Sequence, residues 1–134
     1  MPRPRQLATL ALLCAGLVEA CAMQPPPNGG QQRFVVFFQE WSGQLDGPAL
    51  AVIQGAADQA KASPSLPVTV VGFADPTGSP QANLDVSRLR AQLVYDQLIK
   101  DGVNPGRVRR DARGPTDFAH SSQESRRVEV RVGA

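Results

Sequence analysis

The stretch "VVGFADPTG" places an acid, Asp75, directly after an apolar run and directly before a turn. Pro76 favours an extended conformation for the residue that precedes it, and Gly78 allows the chain to turn into the following segment. Ligands tend to collect at the carboxyl ends of strands in α/β layers. Asp75 is therefore a candidate ligand-binding carboxylate at the rim of a sheet.

The segment that follows carries polar residues at helical spacing. Asn83, Ser87 and Arg90 are separated by four and three residues, so on a helix they fall within roughly 60° of one another. This stripe begins in the first turn of the predicted helix, next to the loop that carries Asp75. A ligand with an ammonium and a carboxylate would suit this pair, because Asp75 could take the ammonium and Arg90 the carboxylate through two parallel hydrogen bonds.

A simpler arrangement is also compatible with these residues. Asp75 and Arg90 could pair with each other, or Asp75 could cap the helix, and spacing alone favours this interpretation. An exposed ion pair contributes only about 0–1 kcal/mol to stability and needs no function.

The elements that must position these residues follow the order β-α-β-α-β-β. The pattern predicts strands at residues 34–38 and 68–74, in "RVRRDARG" and in "RRVEVRV", and helices in "ALAVIQGAADQAKA" and "ANLDVSRLRAQLVYDQLIK". Asp46 is the expected N-cap of the first helix, and Gly102 and Pro105 end the second. Two helices on one face of a small mixed sheet, an α+β two-layer sandwich, is the simplest fold that buries these surfaces.

Alternation and helical spacing also predict which side chains are buried. In the last strand Val128, Val130 and Val132 face one way, and Arg127, Glu129 and Arg131 face the other. The expected inward-facing residues of the helices are Leu50, Ile53, Ala57 and Ala60 in the first, and Val86, Leu89, Leu93 and Leu98 in the second.

The N-terminal segment has the pattern of an export signal. Arg3 and Arg5 precede an uncharged apolar run, so residues 1–20 are interpreted as a signal peptide of the lipoprotein type. "LVEAC" is similar to a lipidation motif at Cys21, although Glu19 departs from it, and two alternatives are cleavage after Ala22 and a short anchor that is retained. Residues 21–32 are rich in proline and glycine and form a tether, and residues 33–134 form one domain.

Composition excludes several classes of function. The net charge of +2 gives no general reason to expect a nucleic-acid partner. Beyond Cys21 the chain has no thiol, and its single histidine, His120, lies in a polar loop. No cluster has metal-ligand spacing. We therefore expect no enzyme activity and no cofactor.

Trp41 has two interpretations. It is either an aromatic wall of the ligand pocket or a partly buried anchor of its loop, and the second is favoured.

The stretch "VVGFADPTGSPQANLDVSRLRAQLVYDQLIKDGV" resembles the core of the OmpA-like peptidoglycan-binding domain. That family shows a strand ending in Gly-x-x-Asp, a turn glycine, an Asn, and then Leu-Ser-x-x-Arg-Ala. The C-terminal "SRRVEV" is similar to the family's Asn-Arg-Arg-Val-Glu, with Ser125 in place of the Asn, and "FFQEWSGQL" is similar to its first loop. The resemblance covers about residues 33–132. The matching motif positions are Gly72, Asp75, Gly78, Asn83, Ser87, Arg90 and Ala91, with Val86 in place of the leucine.

The resemblance implies non-covalent binding of peptidoglycan through the diaminopimelate of the stem peptide, held by Asp75 and Arg90. It also implies secondary contacts from Asn83, Ser87, Phe73, Ala74, Thr77, Gly78, Phe38 and Arg127. The expected location is the periplasmic face of the cell outer membrane, with a soluble periplasmic protein as the alternative. Expected partners are peptidoglycan, the outer membrane through the lipid anchor, and other envelope proteins. The alternative function is a structural subunit of an envelope complex that has lost ligand binding.

Overall fold

The computed structural model of the protein describes residues 30–115 and 122–133. Strands and main helices alternate in the predicted order, with a one-turn helix inserted before the last strand and a short 3-10 helix, Pro105–Arg107, before the third. The elements are β1 Gln32–Phe37, α1 Gly47–Ala62, β2 Val68–Ala74, α2 Pro80–Lys100, β3 Val108–Pro115, α3 Ser122–Ser125 and β4 Arg127–Val132. Within these residues, no helix has the length and apolarity needed to cross a membrane.

The strands form one mixed sheet with the order β1-β4-β2-β3. β2 and β3 are parallel, and β4 is antiparallel to both β1 and β2. The apolar strand β2 is interior, as its nearly continuous hydrophobic sequence predicts. The predicted α+β architecture is therefore confirmed.

The helix ends follow the sequence signals closely. The carboxylate of Asp46 accepts a hydrogen bond from the backbone N–H of Ala49 at 2.9 Å, which caps α1 as predicted. α2 is capped by the hydroxyl of Ser79, which accepts from the N–H of Ala82 at 3.4 Å. The alternative that Asp75 caps α2 is therefore wrong.

The buried face of α2 is rotated relative to the apolar stripe in its sequence. Leu89 is 53% exposed, and in α1 Leu50 is 39% exposed. These two expected core residues lie outside the core because the helices turn other positions inward. The buried residues of α2 are Asn83, Ser87, Arg90, Ala91, Val94 and Leu98. The polar stripe is thus part of the face that packs against the sheet.

A close approach between β2 and α2 explains part of this rotation. A Cβ placed on Gly72 would lie 2.2 Å from the carbonyl oxygen of Ser87, so only glycine lets the helix sit this close to the strand. The hydroxyl of Ser87 donates to the carbonyl of Leu84 at 2.8 Å and accepts from the N–H of Gly114 at 3.1 Å. Ser87 therefore joins α2 to β3 from a fully buried position.

The sheet face opposite the helices carries a cluster of charges. The predicted alternation in β4 is confirmed, because its valines are buried in the core while Arg127, Glu129 and Arg131 lie on the open face. Glu129 is 3% exposed, and its carboxylate accepts hydrogen bonds from Arg127 at 3.0 Å and from Arg131 at 2.6 Å. Burial alone would raise the pKa of Glu129, but the hydrogen bonds and charges of Arg131 and Arg127 outweigh it and hold that pKa below its ordinary value.

We expect Glu129→Gln to destabilise the protein by about 1–3 kcal/mol at about pH 7, because it leaves the part-buried donors of Arg127 and Arg131 without their charged acceptor. A carboxyl group with a lowered pKa in the folded state stabilises the fold above its unfolded pKa and loses that contribution as the pH falls through the folded value. The difference in free energy of unfolding between wild type and variant should therefore shrink between about pH 7 and about pH 3. Denaturant titrations at both pH values measure it.

The control is Asp96→Asn, which changes an exposed carboxylate of α2 that is bonded to Gln92. It should alter stability by less than about 0.5 kcal/mol. A gap between wild type and Glu129→Gln that stayed constant with pH would contradict the role assigned to the Glu129 charge.

Candidate functional site

A narrow cleft lies just beyond the carboxyl end of β2. Its walls come from the loop after β1, the turn between β2 and α2, the first half of α2 and the residue before β4. Its volume is about 20 Å³, which is room for about one water molecule. The lining residues are Glu40, Trp41, Ala74, Asp75, Thr77, Asn83, Val86, Arg90 and Arg126.

Asp75 is held in a fixed orientation by the turn that follows it. One carboxylate oxygen accepts hydrogen bonds from the N–H of Thr77 at 2.9 Å and from its hydroxyl at 2.8 Å. The side-chain amide of Asn83 donates to the carbonyl of Thr77 at 2.6 Å and so fixes the turn itself. The other carboxylate oxygen lies 3.5 Å from a terminal nitrogen of Arg126.

Arg90 is buried beneath the loop between β1 and α1. It is 1% exposed, so the alternative of an exposed ion pair between Asp75 and Arg90 is wrong. Its Nε donates to the carbonyl of Ser42 at 2.8 Å, and its Nη2 donates to the carbonyl of Gln39 at 2.9 Å. The guanidinium carbon also lies 5.1 Å from the centre of the Phe38 ring. Arg90 thus positions the whole loop and still reaches the cleft.

The charges in the cleft are not arranged as a simple ion pair between Asp75 and Arg90. Burial, and after it the positive charge of Arg126, lower the pKa of Arg90 to about 10, so the group stays cationic at neutral pH. The ion pair of Asp75 within the described ranges is with Arg126. Two guanidiniums therefore face one inner carboxylate, while Glu40 lies at the exposed rim.

The structure brings some of the predicted secondary residues to the cleft and not others. Ala74, Thr77 and Asn83 line it. Ser87 lies deeper, against β3, and Gly78 forms the turn with a φ of 87°.

Three aromatic or charged residues predicted as secondary contacts lie outside the lining. Phe38 is buried beneath Arg90 and is 2% exposed. Arg127 and Phe73 lie on the open face of the sheet, where the guanidinium of Arg127 stacks on the Phe73 ring at 4.1 Å. Strand alternation places them there, because Val128 faces the helices and its neighbour Arg127 must face away.

Sequence reasoning missed one important lining residue, Arg126, and favoured the wrong interpretation of another, Trp41. Arg126 precedes β4 and reaches Asp75, whereas the neighbouring Arg127 had been assigned to the ligand. The alternation within "RRVEVRV" was the signal that could have distinguished the two arginines. Trp41 is 63% exposed and lines the cleft, so its interpretation as a partly buried anchor is wrong.

A larger groove of about 520 Å³ lies between α2 and β3. It is open and polar, and none of the predicted site residues line it. The lining residues are Arg88, Ala91, Gln92, Tyr95, Val108, Arg110, Asp111 and Ala112.

Two other predicted positions, Cys21 and His120, lie outside the described residues. Among residues 30–115 and 122–133, no group of His, Cys, Asp and Glu is arranged to hold a metal ion.

The sequence is similar to those of known proteins, over most of the chain in one case and over a shorter part in another. The chain is 32% identical over 101 residues to the probable lipoprotein YiaD of Escherichia coli, which is 71% of this chain and 46% of YiaD. It is 40% identical over 52 residues to the peptidoglycan-binding protein ArfA of Mycobacterium bovis, which is 39% of this chain and 16% of ArfA. The chain thus spans about half the length of the first relative and less of the second.

A solved structure has the same fold. The peptidoglycan-associated lipoprotein from Burkholderia pseudomallei superposes with a TM-score of 0.65 at 23% identity, over 74% of this chain and 88% of that one. At this identity the likeness shows the fold alone.

The sequence model of the OmpA family matches residues 37–131, which is most of the chain and contains every residue of the cleft. The chain therefore belongs to the OmpA family.

Proposed function

We propose that the cleft binds peptidoglycan without covalent chemistry, through the diaminopimelate of the stem peptide. The observation that carries this proposal is the convergence of Asp75, Arg90 and Arg126 in one cleft. Diaminopimelate offers a free ammonium beside a carboxylate, and the cleft offers one oriented carboxylate and two guanidiniums. The name of the peptidoglycan-binding protein ArfA supports peptidoglycan as the ligand.

The ligand ammonium would bind Asp75 at the oxygen that now faces Arg126. The other oxygen is already occupied by both donors of Thr77, so the carboxylate needs no reorientation. Such preorganisation lowers the cost of binding.

The ligand carboxylate would bind between the two arginines. Described carbonyls use two of the five N–H groups of the Arg90 guanidinium, which leaves three for a ligand. The Nε of Arg126 is buried and has no hydrogen-bond partner within the described chain. A buried donor without a partner costs free energy, and a ligand carboxylate would remove that cost.

The cleft must open for this ligand, because about 20 Å³ does not hold an amino-acid end. Arg126 is the group that must move, since its ion pair with Asp75 fills the position that the ammonium takes. Binding then exchanges one partner of Asp75 for another.

The second part of the proposal concerns the envelope. Lipidation of Cys21 followed by a Pro/Gly-rich tether would hold the domain at the periplasmic face of the outer membrane and so tie that membrane to the cell wall. The name of the probable lipoprotein YiaD supports the lipid anchor. Other envelope proteins are further candidate partners.

Asp75→Asn should weaken binding to diaminopimelate-containing peptidoglycan by roughly tenfold to a hundredfold, because it removes one charge-assisted contact of about 1.5–3 kcal/mol. The substitution keeps the shape of the side chain and its acceptor for Thr77. Sedimentation of the purified protein with isolated peptidoglycan measures the change.

Peptidoglycan that carries lysine keeps the ammonium but lacks the adjacent carboxylate, so it should bind poorly even to the wild type.

The matched control is Asp85→Asn, an exposed acid of α2 outside the cleft that pairs with Arg88. It should bind as the wild type does. If Asp75→Asn also bound as the wild type does, the ligand assignment would be wrong. The structural-subunit function would then be favoured, since the buried bonds of Arg90 already show that this residue has a structural role.

Arg90→Ala should lower the free energy of unfolding by about 2–4 kcal/mol, because it leaves two loop carbonyls without donors and opens a cavity above Phe38. Thermal and denaturant unfolding measure this change. Arg88→Ala, an exposed arginine on the same helix, should change stability by less than about 0.5 kcal/mol. Equal stability of the two variants would show that the loop does not depend on Arg90.

Lipidation has a direct test. Radiolabelled palmitate should enter the wild type in cells, and Cys21→Ser should remain unlabelled. If both proteins were equally soluble and unlabelled, cleavage after Ala22 would replace the lipid anchor.

A further inference from the structure

Trp41 has an unusual backbone conformation. Its φ is 53°, and it is the only residue other than glycine with a positive φ in the described parts of the chain. The N–H of Ser42 donates to the carbonyl of Gln39 at 3.2 Å, so Trp41 is the third residue of a tight turn. A turn with a positive φ at this position normally carries glycine or asparagine. A bulky side chain is disfavoured there.

Arg90 holds this strained turn in place. Its two hydrogen bonds go to the carbonyls of Gln39 and Ser42, the residues at either end of the turn. The hydroxyl of Ser42 also accepts from the N–H of Gln44 at 3.0 Å. The backbone that carries the indole is therefore held by a buried guanidinium before any ligand arrives.

Burial of the indole does not compensate for the strain. Trp41 is 63% exposed, more than any other large hydrophobic residue of the described chain. Residues that keep a strained backbone conformation, without contacts that offset the strain, are concentrated at functional sites. The indole lines the same cleft as Asp75, and its Cη2 atom lies 3.9 Å from the point that a Cβ of Gly78 would occupy. The ring therefore lies within van der Waals distance of the turn that carries Asp75.

Within the described residues, no cation lies over the indole face, because the arginines that lie over aromatic rings stack on Phe38, Tyr95 and Phe73. In this part of the chain Trp41 thus presents an open aromatic surface beside the charged cleft. A cation gains most from an aromatic ring when it is desolvated, and this ring is open to solvent. An uncharged ligand surface with an apolar C–H face gains by displacing water from both sides.

We propose that Trp41 is a saccharide subsite, on which a pyranose ring of the glycan strand stacks while the stem peptide occupies the cleft. This inference rests on the proposed function, since it assigns a second part of the same ligand. The charges select the peptide end, and the indole adds affinity for the sugar to which the peptide is attached. A ligand that carries both parts therefore binds more tightly than either part alone.

The chain contains a single tryptophan, so its intrinsic fluorescence reports on Trp41 alone. The purified full chain is titrated with three ligands: the diaminopimelate-containing stem peptide, the N-acetylated disaccharide of peptidoglycan, and the disaccharide linked to the peptide. We expect the linked ligand to bind roughly threefold to tenfold more tightly than the peptide. We also expect the emission maximum to shift to shorter wavelength with the linked ligand and to change little with the peptide.

Trp41→Gly is the decisive variant, because glycine accepts the positive φ and the fold should be at least as stable as the wild type. It should bind the linked ligand no more tightly than the peptide, whereas Trp41→Phe should keep part of the difference. Because both variants lack the only tryptophan, isothermal titration calorimetry measures their affinities and, for comparison, those of the wild type. The control is Phe37→Ala, which removes another half-exposed aromatic side chain, on the opposite face of the sheet. This variant should keep the full difference.

Three outcomes would overturn the saccharide subsite: equal affinity of the wild type for peptide and linked ligand, an unchanged difference in Trp41→Gly, or an equal fluorescence shift with peptide alone. Failure of the proposed function has a different signature. In that case the stem peptide does not bind the wild type and Asp75→Asn has no effect, while a fluorescence shift with the disaccharide would still support the subsite.

Discussion

The buried guanidinium of Arg90 is the interaction on which the site depends. It connects α2 to the loop after β1 through two carbonyls and lies over Phe38 in the core. Removing a charge from water is costly unless polar groups replace the water, and here backbone carbonyls do so in part, as the lowered pKa of Arg90 indicates. One residue therefore supports the fold, the loop geometry and the charge of the cleft. If the proposed function holds, stability and binding depend on the same side chain.

The pairing of Asp75 with Arg126 also shapes what binding can achieve. A ligand ammonium that replaces Arg126 gains little from Coulomb attraction alone, because one charged partner leaves as another arrives. The net gain depends on what the displaced arginine does next. If Arg126 turns to the ligand carboxylate, both charged groups of the ligand have a partner, and a ligand with both groups is favoured over one with the ammonium alone. Under the proposed function, selectivity for a zwitterionic end would thus follow from the charges of the cleft.

The fold was predictable from local patterns, and the details of the site were predictable only in part. Alternation identified the core face of β4, and an acid before a proline identified the N-cap of α1. The orientation of α2 was not predictable, because its polar stripe is buried through bonds from Arg90 to carbonyls 48 and 51 residues away in sequence. Arg126 could be distinguished from its neighbour only by following the strand register to its first residue. Asp75 and Arg90 were accessible to sequence reasoning since their spacing on one turn and one helix is local.

The direction of the strands has a mechanical consequence. β1 and β2 run the same way because each is antiparallel to β4, and Gln32 and Val68 both pair with Val132. β1 and β2 therefore begin at the same end of the sheet. The cleft lies beyond the opposite end of β2, roughly 20 Å away at about 3.3 Å per residue. Tension between a tether before Gln32 and a ligand in the cleft would run along the strands. This tension would pass from β1 to β4 and from β4 to β2 through backbone hydrogen bonds. Because the force runs parallel to the strands, it loads all of these hydrogen bonds in shear at once and does not open them one at a time.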